Sequence, residues 1–123
     1  KYRIGRILLA GDSAHVNNPL GGMGMNGGIH DAVNLAEKLM MIDRGEAEDD
    51  ILDLYDRQRR IICKDFVQSQ SIANKKAIEA KDPEAHRKQQ AKFMEMAADP
   101  KLAKPFLMRT SMIDSVRDSY EIT

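Results

Sequence analysis

Five of the chain's eight glycines fall between Pro19 and Gly28, directly ahead of a regular apolar pattern. That crowding constrains the fold more than any other feature. The stretch from Arg6 to Leu39, RILLAGDSAHVNNPLGGMGMNGGIHDAVNLAEKL, contains three pieces in order. Ile7-Leu8-Leu9-Ala10 is a short continuous apolar run, the pattern of a buried parallel strand. Gly11-Asp12 ends it, and the glycine-rich loop follows. From about Asn26 the spacing becomes helical, with Ile29, Val33, Ala36 and Met40 recurring and Leu35 and Leu39 beside them. A strand feeding a glycine loop that opens a helix offers bare backbone N–H groups and a positive dipole end to an anion.

Composition narrows the classes of function. The 123 residues suit one small domain and carry no net charge, so no basic field points to nucleic acid. Mean hydropathy is −0.49, and no apolar run is long enough for a membrane span. No signal-peptide pattern is visible. Cys63 is the single cysteine, which excludes an internal disulfide and fits a reducing, cytoplasmic setting. The strand at residues 6 to 10 finds no partner strand downstream. A lone strand leaves its backbone unpaired, so the expectation is a C-terminal fragment of a larger protein, or else pairing with a second copy.

The expected fold is mainly α, with about four helices and one short N-terminal strand. Lys1 to Arg6 leads into the strand. Helix 1 runs from about Asn26, a plausible N-cap, to Asp43, with Gly45 as its stop. Gly27 and Gly28 in its first turn weaken it, which points to a close backbone approach there. Helix 2 starts near Glu48-Asp49-Asp50, and its stripe of Ile51, Leu54, Tyr55, Ile61, Ile62, Phe66, Ile72 and Ala73 could reach Ala80. Asp82-Pro83 and Asp99-Pro100 are N-cap and first-residue pairs. Phe93 and Met96 lie on the helix after the first of them. Pro105 is read as the start of a last helix carrying Met108, Met112, Ile113, Val116 and Tyr120 on one side. Residues 1–45 and 46–123 are read as two parts, the strand–loop–helix segment and a helical C-terminal region.

Gly22-Met23-Gly24-Met25-Asn26-Gly27 formally matches the dinucleotide fingerprint G-x-G-x-x-G. That fingerprint should follow its strand at once and lead to a second strand with an acidic residue. Here a long loop intervenes, and the residues after helix 1 look helical. A different match is far more specific. Arg6-Ile-Leu-Leu-Ala-Gly-Asp-Ser-Ala-His15, then Pro19-x-Gly-Gly-x-Gly-x-Asn-x-Gly-Ile-x-Asp-Ala-x-Asn-Leu-Ala-x-Lys-Leu39, resembles the second FAD-binding motif of flavin-dependent aromatic hydroxylases similar to p-hydroxybenzoate hydroxylase. Leu54-Tyr55-Asp56-Arg57-Gln58-Arg59 resembles the Tyr-x-x-x-Arg helix that usually follows in that family. From Ala73 onward no diagnostic motif is seen.

The resemblance implies a parent with a Rossmann-like α/β FAD-binding fold. It implies an FAD-dependent monooxygenase that hydroxylates a phenol or similar aromatic, with NAD(P)H as reductant and oxygen as co-substrate. By that resemblance Asp12 accepts hydrogen bonds from the ribityl hydroxyls of FAD, and Gly11 lets the strand end approach the cofactor. An Asp after a strand otherwise commonly caps a turn. Pro19 and Leu20 would lie near the isoalloxazine ring. Gly22, Gly24, Met25 and Asn26 would set backbone N–H groups and the helix start against its pyrimidine end, where reduced flavin is anionic. The position before Pro19, often a second proline in the family, is Asn18.

No residue is assigned as a catalytic acid or base. His15 belongs to the motif and is placed in packing or hydrogen bonding near the loop. Asp31 and Asn34, one helical turn apart, are read as caps or ties to neighbours. Arg57, Arg59 and Arg60 are read as a solvated face or salt-bridge partners. Cys63 is read as an inert core thiol, and the Met pairs as packing. His86 is placed on an exposed helix. The spacing of the three histidines suggests no metal site. Related readings are an FAD epoxidase or halogenase-like enzyme, or a helical oligomerisation module. A homodimer would use the exposed strand edge or the C-terminal helices.

Overall fold

The first ten residues fold back on themselves. In the computed structural model, which describes residues 1–17, 19, 22–79 and 82–123, β1 (Arg3–Ile4) and β2 (Ile7–Leu8) pair antiparallel with Arg3 opposite Leu8 and Ile4 opposite Ile7. Gly5, with φ +58°, takes the first of the two turn positions, the glycine-first pattern of a tight hairpin. Leu9 N–H extends the pairing to the Tyr2 carbonyl at 2.8 Å. The expected lone, buried parallel strand is therefore corrected. Its partner lies upstream in residues read only as a lead-in, and Ile4 and Ile7 are both about 70% exposed. Tyr2 is the buried anchor of the hairpin. It packs with Tyr55 and Cys63, and Leu8, Ala14 and Leu35 lie against that cluster.

Among the described residues six α-helices follow, two more than expected: α1 (Met23–Asp43), α2 (Ile51–Ile62), α3 (Ser69–Glu79), α4 (Pro83–Ala98), α5 (Pro100–Thr110) and α6 (Ile113–Glu121). Helix α1 begins at Met23 rather than Asn26, because Gly22 turns the chain into it in the left-handed region, φ +65°. It ends at Asp43 with Gly45 at φ +69°, as its glycine signal suggests. The long stripe read as helix 2 is α2 and α3 joined without a break by a π-helical segment, Cys63–Gln68. The Phe66 side chain and Ala80 fall outside the described residues.

Both Asp-Pro starts are present. The Asp82 carboxylate accepts from Glu84 N–H at 2.9 Å, and Asp99 accepts from Lys101 N–H at 2.8 Å. Pro105 does not open a helix; it lies inside α5, which Pro100 had already started. The last helix begins after Met112, whose φ of +63° turns the chain while its side chain is 1% exposed. Met112 packs with Met23 and Ile62, joining α6 to the first two helices. Phe93 and Phe106, edge to face at 5.8 Å, hold α4 to α5.

Helix α1 presents the opposite face from the one its apolar stripe suggests. Ile29, Val33, Leu39 and Met40 are each 44–52% exposed, whereas Met23, Gly27, Asp31, Asn34 and Lys38 are buried. The buried set also recurs at helical spacing. Its partner, α2, supplies Gln58 and Arg59 between the apolar contacts of Ile62 and Tyr55, so polar groups on both helices satisfy one another.

The end of the hairpin and the start of α1 meet at two glycines. A Cβ on Gly28 would stand 3.2 Å from the Gly11 Cα, tighter than ordinary van der Waals contact. The close approach anticipated from Gly27 and Gly28 is thus made against the Gly-Asp turn. Gly28→Ala would gain about 1 kcal/mol of helix propensity. We expect a net loss of about 1 kcal/mol nevertheless, because the atom it meets is backbone tied on both sides. Urea denaturation measures this; an equal or higher midpoint would show that the turn yields.

Candidate functional site

Gly11 opens a 3₁₀ turn, Gly11–Ser13, in which its own φ is +60°. Its carbonyl accepts from Ala14 N–H and His15 N–H, both at 2.9 Å. The Ser13 hydroxyl donates to the Ala10 carbonyl at 2.8 Å, closing the turn from the other side. Asp12 is exposed on this turn, and its carboxylate meets no hydrogen-bond partner among the described residues.

Across the Gly11–Gly28 contact stands the start of α1. The first N–H groups of a helix have no partner within it, and the N-cap residue here, Gly22, has no side chain with which to cap them. Gly22, Met25 and Asn26 are exposed, Met25 by 74%, and Gly24 is half-buried. Pro19 is exposed, and its carbonyl accepts Gly22 N–H at 3.1 Å. Leu20 and Asn18 lie outside the described residues. The Gly11–Gly28 contact thus brings the turn that carries an acceptor-only carboxylate against the first two turns of α1.

Beneath this surface lies a buried charge cluster. Asp31 is fully buried, and its Oδ2 accepts Gly11 N–H at 3.0 Å and His15 Nε2–H at 2.7 Å. Its Oδ1 accepts Arg59 Nε–H at 2.7 Å. Asn17 Nδ2 donates to His15 Nδ1 at 2.8 Å, which assigns His15 the tautomer with its proton on Nε2. Arg59, 2% exposed, also reaches the Gly27 carbonyl at 3.5 Å. One turn earlier on α2, the Tyr55 hydroxyl donates to the Leu9 carbonyl at 2.6 Å. Burial pushes the Tyr55 phenol well above its ordinary value, with Asp31 adding to the effect, so it remains a neutral donor. The adjacent Asp56 carboxylate accepts Tyr2 N–H and pairs with Arg60.

The tie expected of Asp31 and Asn34 is therefore present, and the arginine cluster divides three ways. Arg57 is exposed and reaches the Thr123 carbonyl, Arg60 is partly exposed beside Asp56, and Arg59 alone is buried. His15 makes the expected hydrogen bonds near the loop, Cys63 is buried at 4%, and His86 is exposed. The linkage of Arg59 and Tyr55 to the two sides of the glycine contact was not foreseen. Two sequence signals bear on it: the Tyr55-x-x-x-Arg59 spacing, and the place of Asp31 on the same helical stripe as Gly27 and Asn34.

Residues 1–70 match the FAD binding domain family, and the chain belongs to it. It is 34% identical over 117 residues to para-nitrophenol 4-monooxygenase of Pseudomonas sp. (strain WBC-3), covering 95% of this chain and 29% of that protein. It is 46% identical over 67 residues to pentachlorophenol 4-monooxygenase of Sphingobium chlorophenolicum, over 54% of this chain and 12% of that one. The crystal structure of p-nitrophenol 4-monooxygenase from Pseudomonas putida DLL-E4 superposes with a TM-score of 0.81 at 33% identity, over 94% of this chain and 29% of that one. The chain thus spans less than a third of the length of these relatives. Among the described residues no helix is long and apolar enough to cross a membrane.

On the far side of the α1–α2 interface, the Lys38 ammonium is 5% exposed and donates to Asn34 Oδ1 at 2.8 Å. Burial holds its pKa below the ordinary lysine value against the opposing pull of Glu37, and Arg59 lowers it further. A base with a lowered folded pKa binds fewer protons folded than unfolded between its two pKa values. Stability therefore rises with pH through the window that ends near the ordinary value of 10.5. Lys38→Met removes this rise. Urea unfolding at several alkaline pH values should show the unmodified protein gaining on the variant as pH increases.

Proposed function

We propose that this chain supplies the ribityl- and isoalloxazine-binding segment of an FAD-dependent monooxygenase that hydroxylates a phenolic aromatic with NAD(P)H and O2. The observation that carries this reading is the exposed Asp12 carboxylate, without a hydrogen-bond partner among the described residues, on the turn that the Gly11–Gly28 contact holds against the first turns of α1. Family membership and the phenol monooxygenases among its relatives support the same reading.

The residues fit the cofactor chemically. Asp12 accepts from the sugar-alcohol hydroxyls of FAD, and Gly11 keeps that part of the backbone free of a side chain. Gly24, Met25 and Asn26 bring N–H groups and the positive helix end to the pyrimidine edge of the flavin, which gains negative charge on reduction, and Gly22 turns the chain into that helix start. Pro19 fixes the path of the loop, and by the family resemblance it and Leu20 are assigned to the isoalloxazine ring. FAD, when bound, supplies the hydride acceptance and oxygen chemistry that no side chain here can provide. The protein's part is to bind, to orient and to exclude water.

In this division residues 1–45 carry the cofactor segment and residues 46–123 form the helical region that braces it. The 123-residue chain alone is expected to be catalytically inactive and to bind FAD weakly or not at all. A fluorescence titration of FAD into the longest native chain containing these residues provides the test. Saturable binding is expected, weakened about tenfold or more by Asp12→Ala through loss of charge-assisted hydrogen bonds. Equal affinity in the variant would remove Asp12 from the cofactor site.

A further inference from the structure

Tyr55 and Arg59 stand one helical turn apart on α2 and reach different sides of the glycine contact. Tyr55 binds the end of the hairpin through the Leu9 carbonyl at 2.6 Å. Arg59 binds α1 through Asp31 Oδ1 at 2.7 Å and the Gly27 carbonyl at 3.5 Å. Asp31 then closes the loop by accepting Gly11 N–H at 3.0 Å. The three side chains are buried, Tyr55 and Asp31 at 0% exposed and Arg59 at 2%, while the backbone groups they hold at Leu9 and Gly11 lie nearer the surface.

We propose that Tyr55, Arg59 and Asp31 form a positioning clamp that sets the separation between the Asp12 turn and the first N–H groups of α1. This inference rests on the flavin reading above and assigns cofactor-positioning work to residues that do not face the exposed surface. The geometry gives the clamp a direction of action. Leu9 and Gly11 flank the turn from one side, and Gly27 lies one residue from the glycine that touches Gly11. A shift of α2 along its axis therefore acts on Leu9 and Gly27 together. Gln58, on the same helix, does not take part. Its Oε1 accepts from Asn34 Nδ2 at 3.0 Å and its Nε2 donates to the Ile122 carbonyl at 3.0 Å, away from the glycine contact.

That difference supplies the control. The test measures FAD affinity, the absorption band of bound flavin and the melting temperature in the longest native chain, for Tyr55→Phe, Asp31→Asn and Gln58→Leu. All three variants should melt at lower temperature. Tyr55→Phe and Asp31→Asn should also weaken FAD by about tenfold and alter the flavin band at saturation. Gln58→Leu should leave affinity within about twofold and the band unchanged. Affinity and band that remain unchanged in Tyr55→Phe would overturn the clamp, as would affinity that simply follows melting temperature across all three. Should Asp31→Asn fail to fold, Tyr55→Phe decides by itself, because it deletes a single oxygen. If Asp12→Ala also binds FAD like the unmodified protein, the flavin reading fails and the clamp falls with it.

Discussion

One carboxylate, Asp31, is shared by three structural elements that would otherwise be free to move apart. It takes a backbone N–H from the Gly-Asp turn, a ring N–H from the loop and a guanidinium N–H from α2. A charge removed from water is tolerated only when its lone pairs are occupied and a counter-ion is close. Here both conditions are met inside one hydrogen-bond shell. Loss of one partner of such a pair costs about 3–5 kcal/mol, because the other is left charged and buried. Arginine suits the position better than lysine would. Its planar fork can face Asp31 with one nitrogen and the Gly27 carbonyl with another.

The same economy extends along the α1–α2 interface. Asn34 links Gln58 to Lys38, and Gln58 continues to the chain end near Ile122. An apolar seam would tolerate sliding by one turn; a chain of matched donors and acceptors does not. A displaced register would leave Arg59, Gln58 and Lys38 buried without partners. The polar seam therefore fixes the register of α1 against α2 along the length of the two helices, while the contacts nearest the helix start are those of Arg59 with Asp31 and the Gly27 carbonyl.

Local chemistry explains what could be read from the residues alone. Asp82-Pro83, Asp99-Pro100 and Gly45 act through their own backbone and side chains, so their roles are visible without knowing the fold. The glycine pair Gly27-Gly28 was legible as a close approach, although not its partner Gly11. Three features escaped because they depend on context. Tyr2 looks like any residue before a strand until Asp56 and Cys63 surround it. Pro105 signals a helix start only where no helix is already running. The apolar stripe of α1 outweighs its polar stripe on any hydropathy scale, and only the hydrogen bonds from α2 reverse that ranking.

The π-helical segment between α2 and α3 has a different kind of importance. A π turn holds more residues than an α turn for the same circuit of the axis, so it stores surplus chain inside a continuous helix. Residues 63–68 are therefore the place where this protein and its relatives can differ by one residue at little structural cost. A deletion there would draw on the surplus and leave a regular α turn, with the faces of α2 and α3 kept. The same deletion within Ile51–Ile62 would rotate Tyr55 against Arg59 or Arg59 against Asp31 by about 100°. Length variation along this helix is thus partitioned by geometry, free in the wide turn and forbidden in the turns ahead of it.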